Sequence, residues 1–234
     1  MKIMERDIEV MGWILEQKFM TEQQVRRIFW KDITEESREA YKRLYELQKE
    51  GYLKTSKKKI YRHALYLVTR NGVNQLKSFG RNRGLGELAD ADYSNYKHDI
   101  AVTDLRVLLH DWGYTDWVSE RVLARRNDLR RIPDGMLYHR GKYFAIEYEL
   151  TQKSKDRYRE IFYNYELDNQ VDEVVYIVET PEMAAKLSQE AATCNKLHFV
   201  PLADLQKNQV NAHLRGIFDQ CSLHELLEAF NQNP

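Results

Sequence analysis

Residues 130–159 read RRIPDGMLYHRGKYFAIEYELTQKSKDRYR. Pro133-Asp134-Gly135 marks a turn leading into an apolar run, Met136 to Tyr138, because Pro presets and Gly frees the backbone where a chain changes direction. The short basic turn Arg140-Gly141-Lys142 separates it from a second run, Tyr143 to Leu150, so the stretch predicts two adjacent strands. Side chains two apart on a strand share a face. Ala145, Glu147 and Glu149 are therefore expected on one side, and Phe144, Ile146, Tyr148 and Leu150 on the other. Two neighbouring carboxylates repel and are costly to bury unless a cation, a metal, a hydrogen-bond donor or water meets them. That need marks the stretch as a candidate site.

Downstream, residues 154–169 predict a helix rich in Tyr, Arg and Lys, and Glu173 to Glu179 (EVVYIVE) an apolar strand of the kind buried inside a sheet. Pro181 opens another helix as its first residue. Leu197 to Pro201 predicts a further strand, and the tail one or two helices, the last over Leu223 to Phe230. Upstream, Tyr96 to Trp112 is an amphipathic helix, Asp116 to Leu123 a strand, and ARRNDLRR (124–131) a basic connection. The expected class is mixed α/β, and the helix from Tyr96 is expected to belong with this sheet.

Residues 80–96, with three glycines and few large aliphatics, read as a linker. The expected division is 1–83, a linker over 84–95, and 96–234. Residues 1–83 hold 19 Lys and Arg against 11 Asp and Glu, whereas the remainder holds 17 against 25. Only the first module has the charge suited to a phosphate backbone. In it, Ile8, Met11, Ile14 and Leu15 lie at helical spacing. Thr21 and Gln24 form a capping-box pattern for a second helix carrying Val25, Ile28 and Phe29. Thr34 begins a third, from Glu35 to Lys49, with Ala40, Leu44 and Leu47 on its apolar stripe, and Gly51 ends it. A hairpin follows, Tyr52–Lys54 pairing with Ala64–Val68 around a basic tip, and a fourth helix opens near Thr69.

With 43% hydrophobic and 31% charged residues, the chain reads as globular rather than disordered. No apolar run approaches the ~20 residues that span a bilayer, and the N-terminus lacks the apolar core of a secretion signal, so the cytoplasm is expected and no membrane partner. Cys194 and Cys221 are isolated, which argues against a zinc site or disulfide framework.

The sequence EESREAYKRLYELQKEGYLK (35–54) followed by ALYLVTRNGVNQL (64–76) is similar to winged helix-turn-helix regulators. The resemblance implies binding to double-stranded DNA. The exposed start of the third helix, Ser37, Arg38 and Lys42, would face bases, and the wing residues Lys57, Lys58, Lys59 and Arg62 would touch the backbone. Winged helices also serve as protein-binding and dimerisation modules, and a lysine run is equally a solvated loop.

Pro133-Asp134 on one strand and an acid-x-acid on the next resemble the PD-(D/E)xK nuclease superfamily. Together with His98-Asp99-Ile100-Ala101-Val102, Arg131-Ile132-Pro133-Asp134-Gly135, Phe144 to Glu149, and Lys153 through Arg157-Tyr158 with Tyr165, they resemble the replication-relaxation family of plasmids and other mobile elements. That family joins an N-terminal winged helix to a domain of this kind. The resemblance implies Asp134 and Glu147 as ligands of Mg²⁺ and a lysine two residues after Glu147. That position holds Glu149, which cannot supply positive charge; Lys153 is the candidate replacement. The catalytic candidates are thus Asp134, Glu147, Glu149 and Lys153. Three readings stay open: a metal-dependent endonuclease, a nuclease-like fold that binds without cutting, and a structural role in which Glu147 and Glu149 pair with Lys153, Arg157 or Arg131. The expected function is DNA binding in replication, mobilisation or transcription control of a mobile element, by a homodimer on a palindrome. A protein-binding adaptor is the remaining alternative.

Overall fold

A computed structural model describes residues 2–34, 37–57, 63–191, 194–216 and 220–229. It is mixed α/β, with a helical N-terminus and a large mixed sheet. The chain divides into two compact units, Met1–Asp111 and Trp112–Pro234.

The first unit runs α1 (Glu5–Glu16), β1 (Met20–Thr21), α2 (Glu22–Phe29), α3 (Glu39–Lys49), β2 (Leu53–Thr55), β3 (Leu65–Val68), α4 (Arg70–Ser78) and α5 (Tyr96–Asp111). Its three strands form an antiparallel sheet in the order β1-β3-β2. The predicted stripes are the ones that pack: Ile8, Met11, Ile14 and Leu15 of α1, Val25 and Ile28 of α2, and Ala40, Leu44 and Leu47 of α3 are all buried. At the start of α2, the Gln24 N–H donates to Thr21 Oγ1 at 3.2 Å and the Thr21 N–H to Gln24 Oε1 at 2.9 Å, satisfying two otherwise orphaned donors. Gly51 ends α3 at φ +76°. There the Tyr52 N–H reaches the Leu47 carbonyl at 2.9 Å, a closure that glycine permits without steric cost. Asp7 of α1, fully buried, receives the Arg43 guanidinium of α3 through Nε at 2.8 Å and Nη2 at 2.5 Å.

Several expectations change here. The third helix begins at Glu39, with Arg38 at its N-cap and Ser37 outside it; Glu35 and Glu36 lie outside the described residues. β1 is a two-residue strand that periodicity cannot reveal. The stretch read as a linker folds onto the hairpin. Leu85 and Ala91 are buried, and Lys54 Nζ donates to the carbonyls of Leu88 at 2.7 Å and Ala89 at 2.9 Å. Helix α5 joins the first unit. Gln24 Nε2 donates to Asp104 Oδ1 at 2.8 Å and to the Ile100 carbonyl at 3.2 Å, and Lys18 meets Asp99 at 2.7 Å. An apolar stripe alone does not say which core it joins; these polar partners do.

The second unit runs β4 (Trp117–Ser119), α6 (Glu120–Leu123), β5 (Gly135–His139), β6 (Lys142–Glu149), α7 (Lys155–Glu166), β7 (Glu173–Val178), α8 (Pro181–Glu190), β8 (Leu197–Pro201), α9 (Leu202–Asn208), a 3-10 turn (Gln209–Asn211), β9 (His213–Arg215), β10 (Gln220–Ser222) and α10 (Leu223–Glu228). Its seven-stranded sheet has the order β10-β9-β8-β7-β6-β5-β4. β4, β5 and β6 are antiparallel, β6, β7 and β8 parallel, and β9 and β10 antiparallel again. The predicted strand over 116–123 is three residues of strand followed by one helical turn, and the tail adds a short hairpin between its two helices. On one face, Met136, Ala145, Val174, Tyr176, Val178 and Phe199 form a core with Tyr158, Ile161, Phe162 and Tyr165 of α7 and with α8. No helix among the described residues is long and apolar enough to cross a membrane.

Candidate functional site

The acidic stretch on β6 lies in the middle of the sheet, between β5 and β7. Tyr143 to Glu149 alternate as the sequence predicts, so Glu147 and Glu149 share the face of Ala145, which packs beneath α7. Both carboxylates are buried, and each meets a cation. Arg131 Nε donates to Glu147 Oε1 at 2.7 Å. Tyr165, on the buried side of α7, donates its hydroxyl to the same oxygen. Lys153, just beyond the strand, places its ammonium on Glu149 Oε2. The Lys153 N–H donates to the Tyr158 hydroxyl at 3.1 Å, which fixes the loop that carries the lysine.

Asp134 precedes β5, and its Oδ2 accepts the Tyr148 N–H at 2.8 Å. It thereby secures the edge of β6 next to Glu147. Tyr176 lies opposite Glu147 in the β6–β7 register; its hydroxyl is buried without a hydrogen-bond partner.

The electrostatics follow from burial. Removal from water pushes the Glu147 carboxyl up, and the Asp134 charge adds to this, while Arg131 and Tyr165 pull it back; the net direction is upward. Burial is the largest single influence on Arg131 and lowers its pKa, but the charge and the hydrogen bond of Glu147, with smaller contributions from Tyr165 and Tyr176, together outweigh it and hold the guanidinium above its ordinary value. Burial pushes the Tyr165 and Tyr176 phenols well up, and the Glu147 charge does the same. Tyr158 is pushed up to about 12, mainly by burial. The phenols at this site therefore stay protonated and act as neutral hydrogen-bonding groups.

The donor set does not fit a hard divalent cation as it stands. Such an ion wants several carboxylate or carbonyl oxygens at one point, yet a guanidinium and a phenol occupy Glu147 Oε1, and Asp134 Oδ2 is committed to the backbone. Among the described residues no group of three or more His, Cys, Asp or Glu is arranged to hold a metal. The four candidates Asp134, Glu147, Glu149 and Lys153 do cluster around one face of β6. Sequence reasoning assigns no role to Tyr176, and Tyr165 enters it only among the residues that carry the family resemblance. A lone Tyr in the aliphatic run EVVYIV is a usable signal, because a buried phenol needs a partner; the register that puts it beside Glu147 is not encoded locally.

Two of the neighbouring arginines have partners within the connection before β5 or at the end of α7. Arg126 grips Asp128 at 2.9 and 2.6 Å, and Arg130 Nε donates to the Leu167 carbonyl at 3.1 Å.

The basic candidates lie in the first unit. Arg38 and Lys42 are exposed, one turn apart, and continue along α3 to Tyr45 and Lys49, also exposed. The Arg38 guanidinium lies 5.1 Å from the Tyr41 ring centre, and Tyr41 and Tyr45 stack at 6.5 Å. Ser37 is partly buried in the preceding turn. Lys57 is exposed beyond β2; Lys58, Lys59 and Arg62 lie outside the described residues.

A family model described as replication-relaxation matches residues 11–167. No curated protein and no solved structure matches the chain.

Proposed function

The chain belongs to the replication-relaxation family, and on that footing we propose that it is a DNA-binding protein of a plasmid or other mobile element, acting in replication, mobilisation or transcription control. In this reading residues 1–83 form a winged helix, α3 enters the major groove, and the hairpin β2–β3 is the wing. A homodimer reads two half-sites. The observation that carries it is the exposed stripe of α3, where Arg38, Lys42 and Lys49 alternate with the stacked rings of Tyr41 and Tyr45. The element order α1-β1-α2-α3-β2-β3 with strands in the order β1-β3-β2 supports the same reading. So does the basic excess of residues 1–83.

The second unit is read as a nuclease-like sheet that does not cut. Its acidic residues are neutralised from within by Arg131 and Lys153. A metal-dependent endonuclease is the second reading, favoured by the nearness of Asp134 to Glu147, whose carboxyl feels its charge.

A salt titration of duplex binding tests the first reading. Affinity should fall linearly on a log–log scale, and the double variant Arg38→Glu, Lys42→Glu should flatten the slope by roughly 1–2. Salt-independent binding, or an unchanged slope, overturns it. Incubating supercoiled plasmid with Mg²⁺ or Mn²⁺ separates the two readings of the sheet. Intact plasmid is expected; nicking that disappears in Asp134→Ala establishes the endonuclease instead.

A further inference from the structure

The first unit contains a cavity of about 450 Å³ between α1, α2, α5 and the segment after α4, a size suited to a small molecule. Its walls differ in character. Trp13, Phe29, Ile8 and Ile28 give an apolar side, and Arg81, Arg83 and Arg106 converge on it with Glu16.

Arg106 is the unusual member. It is 6% exposed, and its guanidinium lies 3.7 Å from the Trp13 ring centre. Its Nε and Nη1 are sealed from solvent with no hydrogen-bond acceptor. Glu16 Oε2 stands 3.2 Å from Nη1, but neither atom completes a hydrogen bond with the other or with any neighbour. The same carboxylate also serves Arg83, which donates to Oε1 at 3.2 Å. Glu16 thus faces two guanidiniums, Glu9 on the same wall is exposed, and the sealed Nε and Nη1 of Arg106 are left without an acceptor; buried polar groups of this kind ordinarily find partners. Burial consistently lowers the Arg106 pKa to about 10, with Glu16 opposing the shift.

A second observation concerns Gly12, inside α1 and on the cavity wall. A Cβ built there meets nothing within 4 Å. Glycine in a helix interior loses stability relative to alanine, and no packing contact requires it here. The space beside it is open, so a larger side chain at this position would project into the cavity.

We propose that this cavity is a binding site for a small amphipathic anion, a carboxylate or phosphate monoester with an aromatic or aliphatic body. The anionic head takes the charge of Arg106 and Arg83, for which a planar fork is suited, and the body lies against Trp13 and Phe29. The site is independent of the DNA-reading stripe on α3.

Isothermal titration of the full chain with phenyl phosphate, phenylacetate, inorganic phosphate and benzyl alcohol tests it. One of the two aromatic anions should bind saturably at a single site, and the tighter of them names the head group. Inorganic phosphate and neutral benzyl alcohol should bind at least about tenfold more weakly. Gly12→Leu, which fills the space without a backbone clash, should abolish binding while the thermal transition is kept or raised. Arg83→Ala, at a half-exposed position, should weaken binding about tenfold with the fold intact. No saturable binding of either aromatic anion at millimolar concentration overturns the proposal. So does equal binding by inorganic phosphate, or unchanged binding in folded Gly12→Leu.

Discussion

Arg131 and Glu147 are joined through Nε and Oε1 at 2.7 Å, a cation from the turn before β5 closing on an acid in the middle of β6. The Glu147 side chain is 8% exposed and that of Arg131 23%. In such surroundings an ion pair adds little net stability, but breaking it leaves a buried charge alone. Arg131→Ala should therefore cost about 3–5 kcal/mol of unfolding free energy, read from urea denaturation. The double variant Arg131→Ala, Glu147→Gln should recover most of the loss. A single-variant cost below about 1 kcal/mol, typical of exposed pairs, would mean that water reaches Glu147.

The same carboxyl gives a pH dependence of definite sign. Its pKa in the folded protein is raised, chiefly by burial, so the folded state holds this proton more tightly than the unfolded chain. The contribution is fully present below the ordinary glutamate pKa and is lost as pH rises through the folded value. Glu147→Gln mimics the protonated group. Melting temperatures from about pH 4 to pH 8 should show the variant gaining on the wild type as pH rises. If the variant instead falls behind with rising pH, attraction to Arg131 outweighs burial.

Which parts of this architecture can be read from the sequence follows from how local their causes are. The capping box of Thr21 and Gln24, the left-handed turn at Gly51, and Pro181 as the first residue of α8 each depend on a few adjacent residues, and each appears where the sequence predicts. The shared face of Glu147 and Glu149 follows from strand alternation alone. The membership of α5 does not, because Asp99, Asp104 and Asp111 find Lys18, Gln24 and Arg27 across some eighty residues. Nor does the pairing of Glu147 with Tyr165, which needs both the packing of α7 and the pitch of a helix not yet placed. The acids were visible as a problem of charge; the cations and phenols that answer it come from the tertiary fold.

Asp7 and Arg43 provide an independent check on the first unit. The carboxylate is fully buried and takes a two-pronged contact from the guanidinium, whose pKa is raised mainly by that hydrogen bond. Arg43 also donates to the Lys2 carbonyl at 3.0 Å, so it ties α3 to α1 and to the chain preceding it. Arg43→Lys keeps the charge but loses the fork. It should destabilise less than Arg43→Ala, for which about 3–5 kcal/mol is expected. Equal, small losses in chemical denaturation would show that the fork is not what holds the two helices.

Gly135, the last residue of the Pro-Asp-Gly turn, has its reason in the neighbouring strand. It pairs with Ser119 in the β4–β5 register, and a Cβ placed on it would lie 1.8 Å from Trp117 Cζ2 and 2.3 Å from Cη2. Trp117 is 4% exposed, so its indole has no free space to retreat into. Gly135→Ala must therefore displace the ring or separate β4 from β5. Overpacking of this kind costs about 1–3 kcal/mol, and it should be accompanied by a red shift in tryptophan emission as the indole meets water. Trp117→Leu removes the obstructing ring, so Gly135→Ala should cost less on that background than in the wild type. Equal costs on the two backgrounds would assign the effect to the backbone of the turn rather than to the indole.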